Sequence, residues 1–357
     1  MKTKIKKLLS VLLLTIYFIG IYWFLSQITR YPLAIIVTML ASILFMIVTH
    51  ELGHLLFGLL TGYRFISFRV FSVMLVKTEG KWVIRRMSLP GTGGQCLMAP
   101  PPKKNGNFPF VLYHLGGILF CGFLSLIPIV IGLSGKNSDL RMLFFVFGFV
   151  SFVMNVLNAI PTGGKGMIND ATNVQMARKS ASARLACWNQ LAYVALHAQN
   201  IRTADMPEEL FFLPDKRELS NHLLVWQILA CVERCEDMGE YEQARETVRY
   251  ALEHAPFIFP WYQSALQAEA VYLDSILGTN TERTSQYYDQ IQKIPAFQNT
   301  ISFHRALYAY LLLQKKDAEG AQKVLLALKK KICQAPFRAE AIFESNQLSY
   351  IQALQNP

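Results

Sequence analysis

The segment His50-Glu51-Leu52-Gly53-His54, called here the HELGH segment, contains two imidazoles and a carboxylate at a spacing that suits metal-assisted hydrolysis. On an α-helix, residues i and i+4 lie on the same face, so His50 and His54 can bind one zinc ion. Zinc lowers the pKa of a bound water from about 15.7 to about 7, which makes hydroxide available at neutral pH. Glu51 can take a proton from that zinc-bound water as a general base and pass it to a leaving amine. The segment therefore predicts a hydrolytic zinc site.

Asp170 is the candidate for the third protein ligand that a catalytic zinc ion requires, with one further position left open for water. It is the first carboxylate after Asp139, and it follows a segment in which Pro161 and three glycines prevent a straight helix from continuing. The chain therefore bends at the end of an apolar stretch, which can bring Asp170 to the same end as the two histidines. The alternative is that Asp170 caps the N-terminus of a helix over 171–178.

Four apolar stretches reach the roughly 20 residues that a helix needs to cross a bilayer. They cover residues 8–25, 32–60, 108–133 and 142–160. The HELGH segment lies in the second stretch, where ionisable groups are costly unless paired or hydrated and therefore indicate a functional site. The alternative is a cluster at a helix end that faces cytoplasmic water. The first stretch is long for a signal sequence and has no small-residue cleavage site after it, so it is predicted to be an uncleaved anchor.

Charge is distributed unevenly along the chain. Hydrophobic residues make up 52% of the sequence and charged residues 17%, which excludes a disordered protein and argues against a wholly soluble one. Residues 1–170 hold 16 Lys or Arg and 4 Asp or Glu, whereas residues 171–357 hold 19 and 20. The basic residues concentrate in the N-terminus and the loop 63–107, which predicts a multi-pass protein of the cell membrane with this loop and both termini cytoplasmic. Because this charge flanks membrane spans, it does not indicate nucleic-acid binding.

The loop 63–107 has a β-strand pattern of its own. Residues 68–76 and 81–87 are rich in β-forming side chains, and the intervening Thr78-Glu79-Gly80 suits a hairpin turn. The glycine-rich segment 91–95 follows. The loop is predicted to be either an ordinary surface hairpin or a strand edge beside the zinc site that pairs with an unwound substrate backbone.

The combination of motifs resembles the site-2 protease family of intramembrane zinc metalloproteases, as a divergent bacterial member. The resemblance covers roughly residues 33–175 and rests on the HELGH segment, on Asn158-x-x-Pro161 and on the Asp170 that follows. It implies roles for five residues, namely zinc binding by His50, His54 and Asp170, base catalysis by Glu51 and substrate binding by Asn158.

The sequence departs from the usual family pattern in two places. Asp170 follows Asn158 by 12 residues, which is longer than the usual separation in the family. Ala171 follows the aspartate, where the family normally has glycine.

His114 is a further histidine in the third apolar stretch, beside Gly116-Gly117. It could line the site or bond to substrate. A histidine in this setting more often packs between helices and bonds to a backbone carbonyl, so His114 is left out of the predicted catalytic set.

The second half of the chain is predicted to be helical, with a membrane metalloprotease domain over 1–175 and a cytoplasmic helical-repeat domain over 176–357. One stretch resembles the second half of a tetratricopeptide unit, and a second stretch is a weaker copy. The matching residues are Gly239, Tyr241, Ala244, Val248, Ala251 and Pro256 in the first, and Ala321, Leu325 and Leu328 in the second. The predicted fold class is therefore mainly α, with a polytopic membrane core, a small cytoplasmic β-hairpin loop and a cytoplasmic α-solenoid. The alternative is a helical domain that only packs against the membrane core.

These features predict an intramembrane zinc metalloprotease that cleaves a membrane-embedded protein or peptide substrate in or beside its transmembrane segment. The helical repeats would bind a protein partner. One alternative is a catalytically inactive membrane scaffold whose repeats bind that partner. Another is an ion or proton pathway through His50 and Glu51, which would need polar residues in several spans.

Overall fold

The computed structural model describes residues 30–78, 80–87, 92–135, 138–161, 168–255, 259–279, 281–295 and 297–355. These residues form long apolar helices, a four-stranded antiparallel sheet and a mostly helical C-terminal half. The predicted first span, 8–25, lies outside them. The described residues up to Gly53 form one compact unit with Gly117–Asn158, and His54–Gly116 form a second unit with those from Ala159 onward. The predicted domain boundary near residue 175 stays a prediction.

Within the described part of the chain, three helices are long and apolar enough to cross a membrane. They are α1 Pro32–Leu60, α2 Phe110–Ser134 and α3 Ser138–Asn158. Many of their large apolar side chains are exposed, as expected where helices face lipid. Helix α1 coincides with the predicted second span, and the other two helices overlap the predicted third and fourth spans. The three helices indicate a membrane protein, whereas the side on which each terminus lies stays a prediction.

Helices α2 and α3 approach each other closely at two glycines. A Cβ atom at Gly148 would lie 2.7 Å from the carbonyl oxygen of Ser125 and 2.8 Å from the amide nitrogen of Ile129. A Cβ atom at Gly132 would lie 2.6 Å from the amide nitrogen of Phe145. Side chains at these two positions would therefore collide with backbone, and small residues permit the contact, as is common between membrane helices.

The segment between α1 and α2 folds into an antiparallel sheet with the strand order β3-β2-β1-β4. The strands are β1 Arg64–Val70, β2 Val73–Thr78, β3 Lys81–Arg86 and β4 Gly94–Ala99. Strands β2 and β3 form the predicted hairpin, in which Thr78 pairs with Lys81.

The sheet is larger than the single hairpin expected from the sequence. The β-rich segment 68–76 is divided between two strands, because Phe71 and Ser72 form a turn between β1 and β2, with φ of 52° at Phe71. The glycine-rich segment contributes Gly94 to β4, which pairs with β1. Buried Arg69 stabilises this end of the sheet, since its guanidinium donates hydrogen bonds to the carbonyl oxygens of Phe71 (2.6 Å) and Gly94 (3.0 Å).

The C-terminal half is helical throughout most of its described residues, as predicted. Its α-helices are α4 Asp170–Ala177, α5 Ala181–Ala198, α6 His222–Met238, α7 Tyr241–His254, α8 Pro260–Ile276, α9 Glu282–Ile291, α10 Ile301–Ala309, α11 Ala318–Cys333 and α12 Arg338–Ala353. The short 3-10 helices Thr203–Asp205, Glu208–Leu210 and Lys216–Glu218 connect α5 to α6, and a π-helical turn, Tyr310–Gln314, extends α10.

The residues of the predicted repeats lie at helix–helix contacts. Gly239 ends α6 in the left-handed region, with φ of 79°, and the chain turns directly into α7. The predicted small and apolar positions of α7 and α11 are buried, namely Ala244, Val248, Ala251, Ala321, Leu325 and Leu328. Helix α6 packs on α7 and α10 packs on α11, and α12 also contacts α5. A solenoid of tetratricopeptide units stays a prediction.

Arg305 of α10 joins three other helices of this half through buried ion pairs. Its Nη1 lies 2.8 Å from Glu236 of α6, its Nη2 lies 2.6 Å from Glu269 of α8, and its Nε lies 3.6 Å from Glu344 of α12. The guanidinium also stacks over the Tyr272 ring at 4.3 Å. Three carboxylates thus surround one cation in an interior where an unpaired charge would be costly.

Candidate metal site

His50 of α1 is buried, and both of its ring nitrogens face asparagines of α3. Its Nδ1 lies 3.3 Å from the side-chain oxygen of Asn155, whose amide nitrogen donates to the carbonyl of Ile118 at 2.9 Å. This pattern assigns the hydrogen to Nδ1 and leaves the lone pair on Nε2. The side-chain nitrogen of Asn158 lies 3.1 Å from that Nε2. The predicted substrate-binding residue therefore lies beside the nitrogen that can bind a metal ion.

His54, one helical turn further along α1, is oriented by the start of α2 and by the sheet. Its Nδ1 lies 2.8 Å from the carbonyl oxygen of Tyr113, so this nitrogen donates and Nε2 keeps its lone pair. The hydroxyl of Tyr113 in turn donates to the carbonyl of Cys96 in β4 at 2.8 Å, and its ring stacks on Tyr63. The Nε2 atom of His54 lies 3.3 Å from a carboxylate oxygen of Asp170.

Asp170 is the first residue of α4, and its neighbour Asn169 performs the capping. The side-chain oxygen of Asn169 accepts hydrogen bonds from the backbone nitrogen (2.9 Å) and hydroxyl (2.7 Å) of Thr172. Its side-chain nitrogen donates to the carbonyl of Ile160, just beyond α3, at 2.7 Å. The alternative reading of Asp170 as the N-cap of this helix was wrong, since Asn169 makes those bonds and the Asp170 carboxylate points to His54.

His50, His54 and Asp170 each offer one donor atom, and these three atoms lie within 4.8 Å of one another. The two histidines share the unbroken helix α1, so the helix itself sets the separation of their rings. Two imidazoles and one carboxylate form a donor set that zinc accepts, with room for a fourth ligand. The hydrogen bonds at both Nδ1 atoms are those that orient metal-binding histidines in proteins. The residues present therefore fit a zinc ion.

Glu51 lies next to His50 on α1, and its residue is 9% exposed. A carboxylate is costly in an apolar helix of this length, so its presence there indicates a functional site. Its position in the same helical turn as both histidines matches the position expected for a general base.

Two polar side chains near the site were outside the set of site residues predicted from the sequence. Asn155 lies three residues before Asn158 on the same face of α3. A second amide at that spacing in an apolar helix could have indicated from the sequence that Asn155 belongs to the site. His114 of α2, which was left out of the catalytic set, lies 3.9 Å from Asp170. The backbone carbonyl of Tyr113 also orients His54. Every residue has a backbone carbonyl, so residue types alone could not identify this contact.

Residues 14–163 match the family model described as Peptidase M50B-like. The matched segment contains the HELGH segment and Asn158, and it ends before Asp170. No curated protein and no solved structure matches the chain. The family points to a protease, and the three metal-binding candidates found together in the structure agree with a metalloprotease. Residues 14–163 of this chain are thus similar to the peptidase M50B-like proteins, in agreement with the resemblance to the site-2 protease family.

Proposed function

We propose that this protein is an intramembrane zinc metalloprotease that cleaves a membrane-embedded protein or peptide in or next to its transmembrane segment. The observation that carries the proposal is the convergence of donor atoms from His50, His54 and Asp170 within 4.8 Å of one another. The match of residues 14–163 to the peptidase M50B-like family model supports the same reaction.

The chemistry divides among the residues of the site. His50, His54 and Asp170 would hold zinc, which when bound supplies Lewis acidity toward a peptide carbonyl and toward water. Glu51 would take a proton from the attacking water and deliver it to the amine of the departing peptide. Asn158, beside Nε2 of His50, would hold the substrate backbone next to the reacting carbonyl.

The substrate must be extended where it is cut, because a helical backbone shields its carbonyls. Strand β4 lies at one edge of the sheet and connects to His54 through the Tyr113 contacts. An unwound substrate segment would pair with this edge as an added strand. The sheet and both termini would lie on the cytoplasmic side, as the basic loop residues favour, and the helical C-terminal half would bind a protein partner there.

The variant Glu51→Gln tests the reaction, because it keeps the size of the side chain and removes the base. We expect cleavage to fall by at least about 100-fold, with zinc content unchanged. Membrane proteomes of cells that express the wild-type chain or this variant are compared, and substrates should accumulate uncut in the variant. The matched control is Leu52→Ala, the adjacent and partly exposed position on α1, which should leave cleavage intact.

A second variant separates ligand loss from base loss. His54→Ala should reduce both the zinc content of the purified protein and cleavage, because it removes a donor. Undiminished cleavage by Glu51→Gln would exclude the hydrolytic mechanism. A purified wild-type chain without stoichiometric zinc, together with normal behaviour of His54→Ala, would instead favour the inactive scaffold.

A further inference from the structure

His114 lies in the first turns of α2 and is buried, and its two ring nitrogens face side chains from two different helices. Its Nδ1 lies 3.9 Å from the Oδ1 atom of Asp170 on α4. Its Nε2 lies 3.6 Å from the sulfur of Cys187 on α5. Because the Oδ2 atom of Asp170 lies 3.3 Å from His54, the aspartate carboxylate sits between two imidazoles, one at each oxygen.

The Asp170 contact assigns a hydrogen to Nδ1 of His114, because the carboxylate oxygen that faces this nitrogen can only accept. Burial raises the pKa of the Cys187 thiol to about 12, so the sulfur stays protonated and can donate. With its hydrogen on Nδ1, the ring presents Nε2 to the thiol as an acceptor, which agrees with the Cys187 contact. That hydrogen is on the side of the Asp170 carboxylate.

We propose that His114 is a positioning residue that orients Asp170 for metal binding through the electrostatic contact between its Nδ1 and Oδ1 of the carboxylate. The inference rests on the proposed function, in which Asp170 is a metal ligand. His114 is not one of the three residues whose donor atoms lie within 4.8 Å of one another, so its role is to act on Asp170 and not on the ion. While His114 contacts Oδ1 of Asp170, Oδ2 stays directed toward His54.

The backbone of Asp170 is fixed in this chain, but its side chain needs a further contact to hold its orientation. Asn169 fixes the backbone at the start of α4, but the side chain of Asp170 still has two rotatable bonds. Partners of this kind, which orient a ligand without touching the metal, typically contribute about 10–100-fold to metal affinity. A histidine that only fills space between helices would not require a carboxylate at one ring nitrogen and a thiol at the other.

The test compares His114→Leu with His114→Asn, because leucine and asparagine are close in size and only asparagine keeps an N–H group near the position of Nδ1. Zinc affinity of the purified full chain is measured by competition with a chelator after the metal is removed and restored. We expect His114→Leu to weaken zinc binding by about 10–100-fold and His114→Asn to recover a large part of that loss. The matched control is His197→Ala, a buried histidine of α5 that bonds to Thr203, which should bind zinc as the wild type does.

The outcomes distinguish this inference from the proposed function. If the wild-type chain binds zinc and folded His114→Leu binds it equally well, the positioning role is overturned and the proposed function stands. If His114→Asn is as weak as His114→Leu, the loss reflects packing and the role is again overturned. If the wild-type chain binds no zinc, the proposed function fails and this inference fails with it.

Discussion

At the scale of single residues, Asn155 and Asn158 lie at opposite nitrogens of the His50 ring and should therefore have different functions. Asn155→Leu leaves the Nδ1 hydrogen without its acceptor, and we expect zinc affinity to fall about 10–100-fold. Asn158→Leu should keep most of the zinc affinity and lower kcat/KM, because this side chain is proposed to hold substrate. The control is Ser151→Ala on the same helix, where the serine hydroxyl bonds to the carbonyls of Ser42 and Phe147. Equal loss of zinc in both asparagine variants would contradict this division.

Residue types and spacing were sufficient to predict part of the site. The HELGH segment was recognisable because the i and i+4 positions share a helix face. The sequence could not decide between Asn169 and Asp170 as helix cap, because both types favour that position. The hydrogen bonds of Asn155 and His114 depend on how separate helices pack, and neither residue's partner can be read from its sequence neighbours.

At the scale of elements, the close contact of α2 and α3 depends on glycine. We expect Gly148→Leu to destabilise the protein by roughly 1–3 kcal/mol or more, because the new side chain would collide with the backbone of α2 near Ser125. Thermal unfolding of the detergent-solubilised chain measures the loss. Val153→Leu enlarges a partly exposed side chain of the same helix and should leave the midpoint nearly unchanged. A Gly148→Leu protein as stable as the wild type would show that the helices do not approach this closely.

Elements with a strong physical signal were predicted best. Long apolar runs predicted the three described candidate membrane helices nearly at their observed bounds, because crossing a bilayer requires that length. The sheet was underestimated, because the turn at Phe71 has no glycine, proline or asparagine to mark it. Strand β4 was also hidden, since it begins within a glycine-rich segment that is typical of loops.

At the scale of the whole molecule, the carboxylates around Arg305 should make stability depend on pH. Burial, opposed by Arg305, raises the pKa of Glu344 to about 7, well above its ordinary value near 4.5. The folded state therefore binds this proton more tightly than the unfolded state, and stability should fall as pH rises from about 5 to about 8, by roughly 3 kcal/mol at most. Glu344→Gln should flatten that dependence, whereas Glu319→Gln at an exposed carboxylate should not. Urea unfolding of the purified chain across this range measures both, and an unchanged slope in Glu344→Gln would contradict the account.

The double role of Asn169 has a consequence for recognising related chains. This side chain bonds forward to Thr172 and backward to Ile160, so it links the start of α4 to the residues just beyond α3. We expect this link to hold Asp170 in place whatever the number of residues between Ile160 and Asn169, which would accommodate a separation from Asn158 longer than is usual in the family. Alignments that count residues from Asn158 would overlook Asp170, whereas a search for an Asn-Asp pair at the start of a short helix would find it.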